Sequence, residues 1–425
     1  MPSPQPRERA ALVGLALRRS KRQDADHALE ELAGLADAAG ADVVLRMIQE
    51  RPTPDASTFI GRGKLEELAD DCERLGADVV IFDNELTPAQ LRQIEERVRR
   101  KVIDRTQLIL DIFARRARTR EGKWQVELAQ LKYLLPRLVG SATALSRLGG
   151  GIGTRGPGET KLETDRRRIR QKIHAITEEI DHIRQRRHHV RARRQKASVP
   201  LVALVGYTNA GKSTLFNLLT KGSAEASNAL FVTLDPLVRQ VSLPDKRQLL
   251  LSDTVGFIDR LPHALVAAFR ATLEQVAEAD LVLHVIDTAS PDRERHVEAV
   301  RRVLEEVGAA NVTTLDVFNK CDLVEPAELE RLQRSHPDAL FVSALKGRLG
   351  KGRQRMIDVV AEKLELDTRR VTLEYDSESA EDRETIARVY RHARVLSHVT
   401  NGGRVAIEAD VPRRVLDRVK AAGAR

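Results

Sequence analysis

The chain has 425 residues, too long for one hydrophobic core and equivalent to about three domains at a prior of ~150 residues each. Its 71 basic and 62 acidic residues give a net charge of +9, which by itself excludes little. Only two cysteines occur, which argues against a disulfide framework or a zinc site. The N-terminus lacks the apolar stretch of a signal peptide, and no apolar run reaches membrane-spanning length. We therefore expect a cytoplasmic protein that binds no membrane.

Residues 1–105 are predicted to form an α/β domain with a parallel sheet, because strands and helices alternate with short joins. Strands are expected at 11–17, 42–47 and 77–82, and helices at 25–39, 64–75 and 88–98. Thr87 is the expected N-cap of the third helix. The join Gly61-Arg-Gly-Lys64 either contacts a phosphate or, as the sequence favours, makes a tight turn before a helix.

Residues 106–197 are predicted to form a helical hairpin with a glycine-rich loop at 149–161. The first helical pattern begins at Thr106 and is expected to break at Pro136. The second helix runs toward Ala197, and its apolar residues keep a 4,3 spacing that predicts an antiparallel coiled-coil seam. The expected seam residues are Ile169, Ile173, Ile176, Ile180, Ile183 and Val190, against Val126, Leu128, Leu131 and Leu135.

The outer face of this hairpin is strongly basic, and arginine dominates lysine. The basic residues are Arg115, Arg116, Arg118 and Arg120, then Arg166, Arg167, Arg168, Arg170 and Lys172, then Arg184, Arg186, Arg187, Arg191, Arg193, Arg194 and Lys196. A charge run is usually only a solvated face, but guanidinium is a flat, bidentate phosphate donor. We therefore expect contact with RNA, through shape and backbone. Aromatic residues are only 3% of the chain, so stacking on unpaired bases is not the expected mode.

A short apolar strand, 201–206, runs straight into the pattern Gly206-x-x-x-x-Gly211-Lys212-Ser213, that of a phosphate-binding loop. Glycines let the backbone N–H groups surround the β-phosphate, and the following helix presents its positive end to the same anion. Lys212 would place its charge on the β- and γ-phosphates, and the Ser213 hydroxyl would ligate Mg²⁺. The sequence therefore predicts a nucleotide-binding protein with a bound Mg²⁺ ion.

The choice of nucleotide depends on Asn319-Lys320-Cys-Asp322, which follows an apolar strand pattern. The Asp322 carboxylate can accept two hydrogen bonds from the N1–H and N2–H₂ edge of guanine, whereas adenine offers no such pair of donors. Asn319 would tie the base loop to the phosphate loop, and the stem of Lys320 would cover the ring. Ser343-Ala-Leu345 follows and offers backbone N–H groups to guanine O6. The three motifs in this order predict GTP and GDP as ligands.

Two further segments are expected to respond to the γ-phosphate. Asp253-Thr-Val-Gly256 ends an apolar strand, so that Asp253 would hold Mg²⁺ and the Gly256 N–H would sense the γ-phosphate. Thr233 is the predicted switch threonine, and the less favoured alternative is an ordinary loop residue, because a lone threonine carries little information. Phe257 stands where many GTPases have a water-positioning glutamine, so we expect intrinsic hydrolysis to be slow or to depend on an outside group. Asn209 either helps to hold a K⁺ ion beside the phosphates or merely closes a turn, and the sequence leaves both open.

The predicted catalytic residues are Lys212, Thr233 and Gly256, and the predicted metal ligands are Ser213, Thr233 and Asp253. The residues expected to contact the nucleotide are Gly206, Tyr207, Thr208, Asn209, Ala210, Gly211, Lys212, Ser213, Thr214, Phe231, Val232, Thr233, Asp253, Thr254, Val255, Gly256, Asn319, Lys320, Asp322, Ser343, Ala344 and Leu345. This GTPase domain is assigned to residues 198–367. Residues 368–425 are expected to form a small α+β domain with a hairpin at Gly402-Gly403 and a short helix from Arg413.

The chain resembles the HflX family of ribosome-associated GTPases over essentially its whole length. The resemblance is carried by Phe59-Ile-Gly-Arg-Gly-Lys64, Asp104-Arg-Thr-Gln-Leu-Ile-Leu-Asp-Ile-Phe113, Gln125-Val-Glu-Leu-Ala-Gln-Leu131, Gly153-Thr-Arg-Gly-Pro-Gly-Glu-Thr-Lys-Leu-Glu-Thr-Asp165, the phosphate loop and Asp253-Thr-Val-Gly-Phe-Ile258. It implies binding to the large ribosomal subunit and its rRNA, and splitting of stalled or idle ribosomes under stress, with GTP hydrolysis permitting release. An apolar residue at position 257 is typical of this wider group.

The motifs together with this resemblance imply a GTP-hydrolysing switch that works on ribosomes, is stimulated by them and binds no DNA. The alternatives are a GTPase that assembles the large subunit, and an RNA-remodelling or chaperone-like protein in which nucleotide hydrolysis is incidental. A single copy of each motif and no obvious dimer seam favour a monomer.

Overall fold

The computed structural model describes residues 7–17, 22–146, 157–197, 199–220, 222, 230–243, 248–259, 275–345, 351–364, 368–412, 415, 416 and 419. Within these ranges, the side chains of residues 139–146, 157–162, 184, 187–197, 351, 368, 391 and 392 are not described. The chain divides into two compact units. The first comprises Met1–Arg184, Ser227–Asp235 and Ile258–Thr272, and the second comprises Gln185–Ala226, Pro236–Phe257 and Leu273–Arg425.

The first unit is built on a four-stranded parallel sheet in the order β2-β1-β3-β4. Its elements are β1 (Glu8–Leu17), α1 (Arg22–Ala38), β2 (Ala41–Arg51), α2 (Arg62–Leu75), β3 (Val79–Phe82), α3 (Pro88–Val98), β4 (Lys101–Asp104) and α4 (Arg105–Arg116). The predicted parallel α/β domain is confirmed. The sequence did not predict β4, because only Val102 and Ile103 in it are apolar.

Two helix ends in this unit follow from local chemistry. The Thr87 side chain accepts a hydrogen bond from Gln90 N at 3.2 Å, while Gln90 Oε1 accepts one from Thr87 N at 3.0 Å. This capping box begins α3 at the proline after Thr87. Gly76 ends α2 in the left-handed region, at a φ of 59°. Both ends lie where the sequence predicts them.

The break expected at Pro136 is wrong: α5 (Arg120–Ser146) continues through this proline. The helical pattern is interrupted earlier, at residues 117–119. There the Thr119 hydroxyl accepts the Gly122 N–H at 3.0 Å, as an N-cap does. A proline inside a helix removes one backbone donor, a loss that a long helix can accommodate. The helix therefore starts after the Thr119 cap and continues through Pro136.

Helix α5 meets α6 (Pro157–Ala197) along part of the predicted seam. Leu128, Ile176 and Ile180 are buried together, and Ile173 packs against them at partial exposure. Lys172 of α6 also forms an ion pair with Glu127 of α5. The antiparallel arrangement of the rest of the hairpin stays a prediction. Residues 149–156 of the predicted glycine-rich loop lie outside the described residues, and the prediction is wrong for 157–161, which already belong to α6.

The second unit contains a six-stranded sheet in the order β10-β9-β8-β5-β7-β6, parallel except for β6 against β7. Its strands are β5 (Leu201–Gly206), β6 (Leu237–Ser242), β7 (Gln248–Asp253), β8 (Leu281–Asp287), β9 (Thr314–Asn319) and β10 (Leu340–Phe341). Its helices are α7 (Lys212–Thr220), α8 (Arg293–Glu306), α9 (Pro326–Ser335) and α10 (Lys351–Lys363). The carboxyl ends of β5, β7, β8 and β9 lie at one edge, where ligands bind in parallel α/β sheets.

The remaining elements of this unit are β11 (Thr368–Asp376), α11 (Ala380–His392), β12 (Arg394–Asn401) and β13 (Arg404–Pro412). They form an antiparallel sheet in the order β11-β13-β12. The predicted hairpin turn is present at Gly402 and Gly403, whose φ angles are 55° and 85°. The predicted start of a helix at Arg413 lies outside the described residues. None of the helices among the described residues has the length and apolar character needed to cross a membrane.

Candidate functional site

The glycine-rich loop of the second unit begins where β5 ends. All six residues of β5 are buried, so the strand holds the loop on the sheet. Gly206 has a φ of 153°, and a Cβ there would overlap the Val285 carbonyl. Gly211 has a φ of 94°, and a Cβ there would overlap the Asn319 side-chain amide. Glycine is therefore required at both ends of the loop, by conformation and by lack of space.

Lys212, the first residue of α7, turns its side chain back into this loop. Its Nζ donates hydrogen bonds to the carbonyl oxygens of Gly206 at 3.0 Å and Tyr207 at 2.8 Å. Burial lowers the pKa of this ammonium to about 8, although Asp253 opposes the shift. An anion bound in the loop would compensate the buried positive charge and favour the protonated lysine.

The next residue joins the loop to the end of β7. The Ser213 hydroxyl donates to Asp253 Oδ2 at 2.8 Å, and Asp253 is fully buried. A hydroxyl and a carboxylate in direct contact form the kind of oxygen donor set that suits Mg²⁺, so these residues fit the predicted ion. Thr254 differs from its neighbours because its buried hydroxyl donates to the Leu204 carbonyl at 2.6 Å. That hydroxyl ties β7 to β5.

Asn319 connects three loops through one side-chain amide. Its Nδ2 donates to the Ala210 carbonyl in the glycine-rich loop at 2.9 Å. Its Oδ1 accepts the Ala344 N–H at 2.9 Å, and the Thr288 hydroxyl donates to its backbone carbonyl at 2.6 Å. Asn319 is only 2% exposed, so these bonds are protected from water. They provide the link between base loop and phosphate loop that the sequence predicts.

The residues after Asn319 form the predicted base loop. Lys320 has a left-handed backbone, with a φ of 63°, and its Nζ lies 2.7 Å from Asp287 Oδ2 at the end of β8. Asp322 is half-buried in the short helical turn Cys321–Leu323. On the neighbouring loop, the Leu345 side chain is 72% exposed. The Lys320–Asp287 pair fixes the lysine stem. The contact of Asp322 with a base stays a prediction.

The segment after Asp253 is joined to the glycine-rich loop by backbone hydrogen bonds. Phe257 N donates to the Gly206 carbonyl at 3.1 Å, and Thr208 N donates to the Phe257 carbonyl at 2.7 Å. The phenyl ring of Phe257 is 2% exposed and packs in the interior. A Cβ added to Gly256 would lie 3.1 Å from Lys212 Nζ, so the backbone at Gly256 passes close to the lysine.

The predicted switch residues Phe231, Val232 and Thr233 belong to the first unit. Phe231 is buried, and its ring meets that of Phe113 edge to face with 4.7 Å between centroids. Its φ of 56° is strained for an aromatic residue and is maintained by this packing. The expected contact of Thr233 with Mg²⁺ stays a prediction. Asn209 is exposed, with a φ of 60°, which suits a turn and also turns its polar groups outward.

Three residues near the loop were missed by sequence reasoning. Thr288 and Asp287 both support the base loop. An acid at the end of an apolar strand is the signal that could have found Asp287. His296 of α8 stacks on Tyr207 in the glycine-rich loop, with 3.8 Å between ring centroids and 15° between planes. No sequence pattern points to His296, because the stack depends on the packing of α8 against β5.

The buried strand with its glycine loop, the serine–aspartate contact and the asparagine that joins base and phosphate loops define a P-loop GTPase domain. Three family models match the chain: "GTP-binding GTPase N-terminal" over residues 26–114, "GTP-binding GTPase Middle Region" over 116–194 and "50S ribosome-binding GTPase" over 201–320. GTPase HflX of Caldanaerobacter subterraneus is 44% identical over 97% of this chain and 93% of its own length. GTPase HflX of Escherichia coli is 45% identical over 86% of this chain and 85% of its own length. The chain belongs to the HflX family of GTPases, and it binds and hydrolyses GTP.

Among solved structures, the chain is similar to a GTP-binding protein of the archaeon Sulfolobus solfataricus crystallised with GDP. The sequences are 24% identical, and the match covers 84% of this chain and 98% of that chain with a TM-score of 0.44.

Proposed function

We propose that this GTPase is a switch that binds the large ribosomal subunit and splits stalled or idle ribosomes under stress. The observation that supports this most directly is the arginine-rich surface of α6 in a chain that also holds a GTPase site. Arg167, Arg168 and Arg170 are exposed on one stretch of α6, and the acids beside the last two lie 3.8 Å away. Exposed pairs at such distances are weak, so these guanidinium groups remain available to phosphates of rRNA.

Within the site, each residue has a defined task. Lys212 would bind the β- and γ-phosphates, and the Gly256 N–H would bind the γ-phosphate. Asp322 would select guanine, and Lys320 would cover the base. Ser213, Asp253 and Thr233 would hold Mg²⁺, which would supply positive charge beside the phosphates. A K⁺ ion at Asn209 would add to that charge, and equal hydrolysis rates in KCl and NaCl would exclude it.

Nucleotide state would control ribosome binding through two segments. Bound GTP would order the segments around Thr233 and Gly256 and favour the ribosome-bound form, and hydrolysis would release them. Phe257 has no polar group to orient water and its ring is buried. The ribosome would therefore stimulate hydrolysis by positioning groups that the free protein leaves out of place.

Sucrose-gradient sedimentation of intact ribosomes with the protein and a non-hydrolysable GTP analogue tests this proposal. We expect dissociation into subunits, with the protein on the large subunit. Binding only to precursor particles would support an assembly GTPase instead, and binding that ignores the nucleotide would support an RNA-remodelling protein. Lys212→Ala is the matched control, because it should lose GTP affinity and with it the splitting while keeping its fold.

A further inference from the structure

The Thr208 side chain is buried in the glycine-rich loop, with 7% of the residue exposed. Its hydroxyl oxygen is buried and has no hydrogen-bond partner within the described part of the chain. A buried hydroxyl without a partner lowers the stability of the folded protein, so such groups are uncommon and often serve a ligand. Two other hydroxyls near the loop are engaged, that of Ser213 by Asp253 and that of Thr254 by the Leu204 carbonyl.

Thr208 lies directly against Gly256. A Cβ added to Gly256 would lie 2.8 Å from Thr208 Cγ2, 3.0 Å from Thr208 Cα and 3.1 Å from Lys212 Nζ. In the structure the Thr208 methyl group faces Gly256. The hydroxyl on the same Cβ would reach that side after rotation about the Cα–Cβ bond. Thr208 thus lies beside the two groups, Gly256 N–H and Lys212 Nζ, that the proposed function assigns to the γ-phosphate.

The hydrolysis reaction needs a polar group at this place. Water attacks the γ-phosphorus, the bond from that phosphorus to the bridging oxygen breaks, and GDP leaves with the electron pair. Phe257 cannot orient the water, because its ring is buried and its backbone N–H and carbonyl are both bonded to the glycine-rich loop. A threonine hydroxyl can accept one hydrogen bond while it donates another.

We propose that Thr208 is a further catalytic residue, whose hydroxyl accepts a hydrogen bond from the attacking water and donates one to a γ-phosphate oxygen. It orients the water and undergoes no net change, because the water proton passes to the phosphate that is released. This inference rests on the placement of the γ-phosphate in the proposed function. It does not depend on the ribosome.

The test compares Thr208→Val, which keeps the shape and removes the hydroxyl, with Thr208→Ser, which keeps the hydroxyl. Single-turnover GTP hydrolysis is measured with purified protein and Mg²⁺, and the affinities for GDP and a non-hydrolysable GTP analogue are measured by calorimetry. We expect the valine variant to hydrolyse GTP about 100-fold more slowly, the usual effect of losing one such group. Its affinity for GDP should stay within about threefold, because GDP has no γ-phosphate for the hydroxyl to contact. The serine variant should retain most of the rate.

Two results would overturn the proposal. One is a valine variant that hydrolyses GTP at the parental rate, and the other is a serine variant that loses as much rate as valine, which would assign the effect to packing. The ribosome-splitting experiment fails or succeeds independently, because this test contains no ribosomes. If the parent protein binds no nucleotide, the assignment of the nucleotide site is wrong. If the parent binds nucleotide and only the rate prediction fails, the role of Thr208 alone is wrong.

Discussion

The carboxylate of Asp235 accepts a hydrogen bond from the Thr119 backbone N–H at 2.8 Å, directly ahead of α5. The Arg118 backbone N–H donates to the same oxygen at 2.8 Å. A Cβ added to Gly122 would overlap the Asp235 carboxylate. Asp235, two residues beyond Thr233, is therefore anchored in the first unit at the start of α5. Residues more than a hundred positions apart in the sequence are fixed by this one side chain.

Replacement of Asp235 by alanine should destabilise the first unit by about 2 kcal/mol, because two backbone N–H groups lose a charged acceptor. The single tryptophan, Trp124, lies in α5 beneath the Arg120 guanidinium at 4.3 Å, so its fluorescence reports on this unit during urea unfolding. Glu330→Ala is the matched control, since its pair with Arg334 is exposed and should contribute little. Equal urea midpoints for both variants would contradict the anchoring role of Asp235.

Nucleotide binding should be accompanied by proton uptake at mildly alkaline pH. Burial lowers the Lys212 pKa to about 8 in the protein without ligand, so the lysine is partly neutral above that pH. Bound phosphates favour the charged form and raise this pKa, so GDP affinity should fall as the pH rises through about 8 and beyond. Calorimetry at about pH 8.5, in buffers that differ in ionisation enthalpy, measures the uptake.

The lowered pKa of Lys212 also determines how the stability of the folded protein changes with pH. Between the lowered folded value and the ordinary value near 10.5, the unfolded chain holds more protons at Lys212 than the folded chain. This lysine therefore makes the unliganded protein more stable as the pH rises through that window, and it has no such effect below it. Lys212→Ala should abolish this part of the pH dependence of stability. A pH dependence of stability that persists unchanged in the variant would assign it to another group.

Asp322→Asn should change the base preference of the protein from guanine to xanthine. The carboxylate accepts from the N1–H and N2–H₂ groups of guanine, whereas an asparagine amide can donate to the carbonyl at position 2 of xanthine. GDP affinity should fall about 100-fold or more, because a buried polar mismatch is costly, and the affinity for xanthosine diphosphate should rise. Fluorescence titrations with both nucleotides measure the ratio. An unchanged ratio would place base recognition elsewhere.

Charge reversal on α6 should weaken binding to the large ribosomal subunit. If Arg167, Arg168 and Arg170 each neutralise one phosphate, the triple glutamate variant should reduce the slope of log affinity against log salt by about 3. Sedimentation binding to purified large subunits over a series of KCl concentrations gives this slope.

The matched control reverses three exposed arginines of the GTPase domain, Arg302, Arg331 and Arg334, which lie on α8 and α9. It changes the net charge by the same amount. If the control weakens binding as strongly as the α6 variant, the effect depends on net charge and not on the surface of α6.

The elements that sequence predicts well here are those set by local chemistry. Thr87 and Gly76 mark helix ends because a cap and a left-handed turn depend on neighbouring residues alone. The glycine-rich loop is recognisable for the same reason. Its two glycines and the lysine are required by the backbone path and by the phosphate, whatever the rest of the chain does.

The features that the sequence does not predict depend on contacts between residues that are far apart in the chain. Pro136 suggests a helix end, but the true interruption lies at residues 117–119. There Asp235, far along the chain, accepts two backbone N–H groups. The stack of His296 on Tyr207 and the support of the base loop by Thr288 arise only when α8 and the strands pack together. The strained φ of Phe231 is likewise a result of packing on Phe113.

Because a single carboxamide at position 319 bridges the two ends of the nucleotide cradle, those ends cannot relax separately. Loss of this carboxamide would therefore disconnect the base loop from the anion-binding turn.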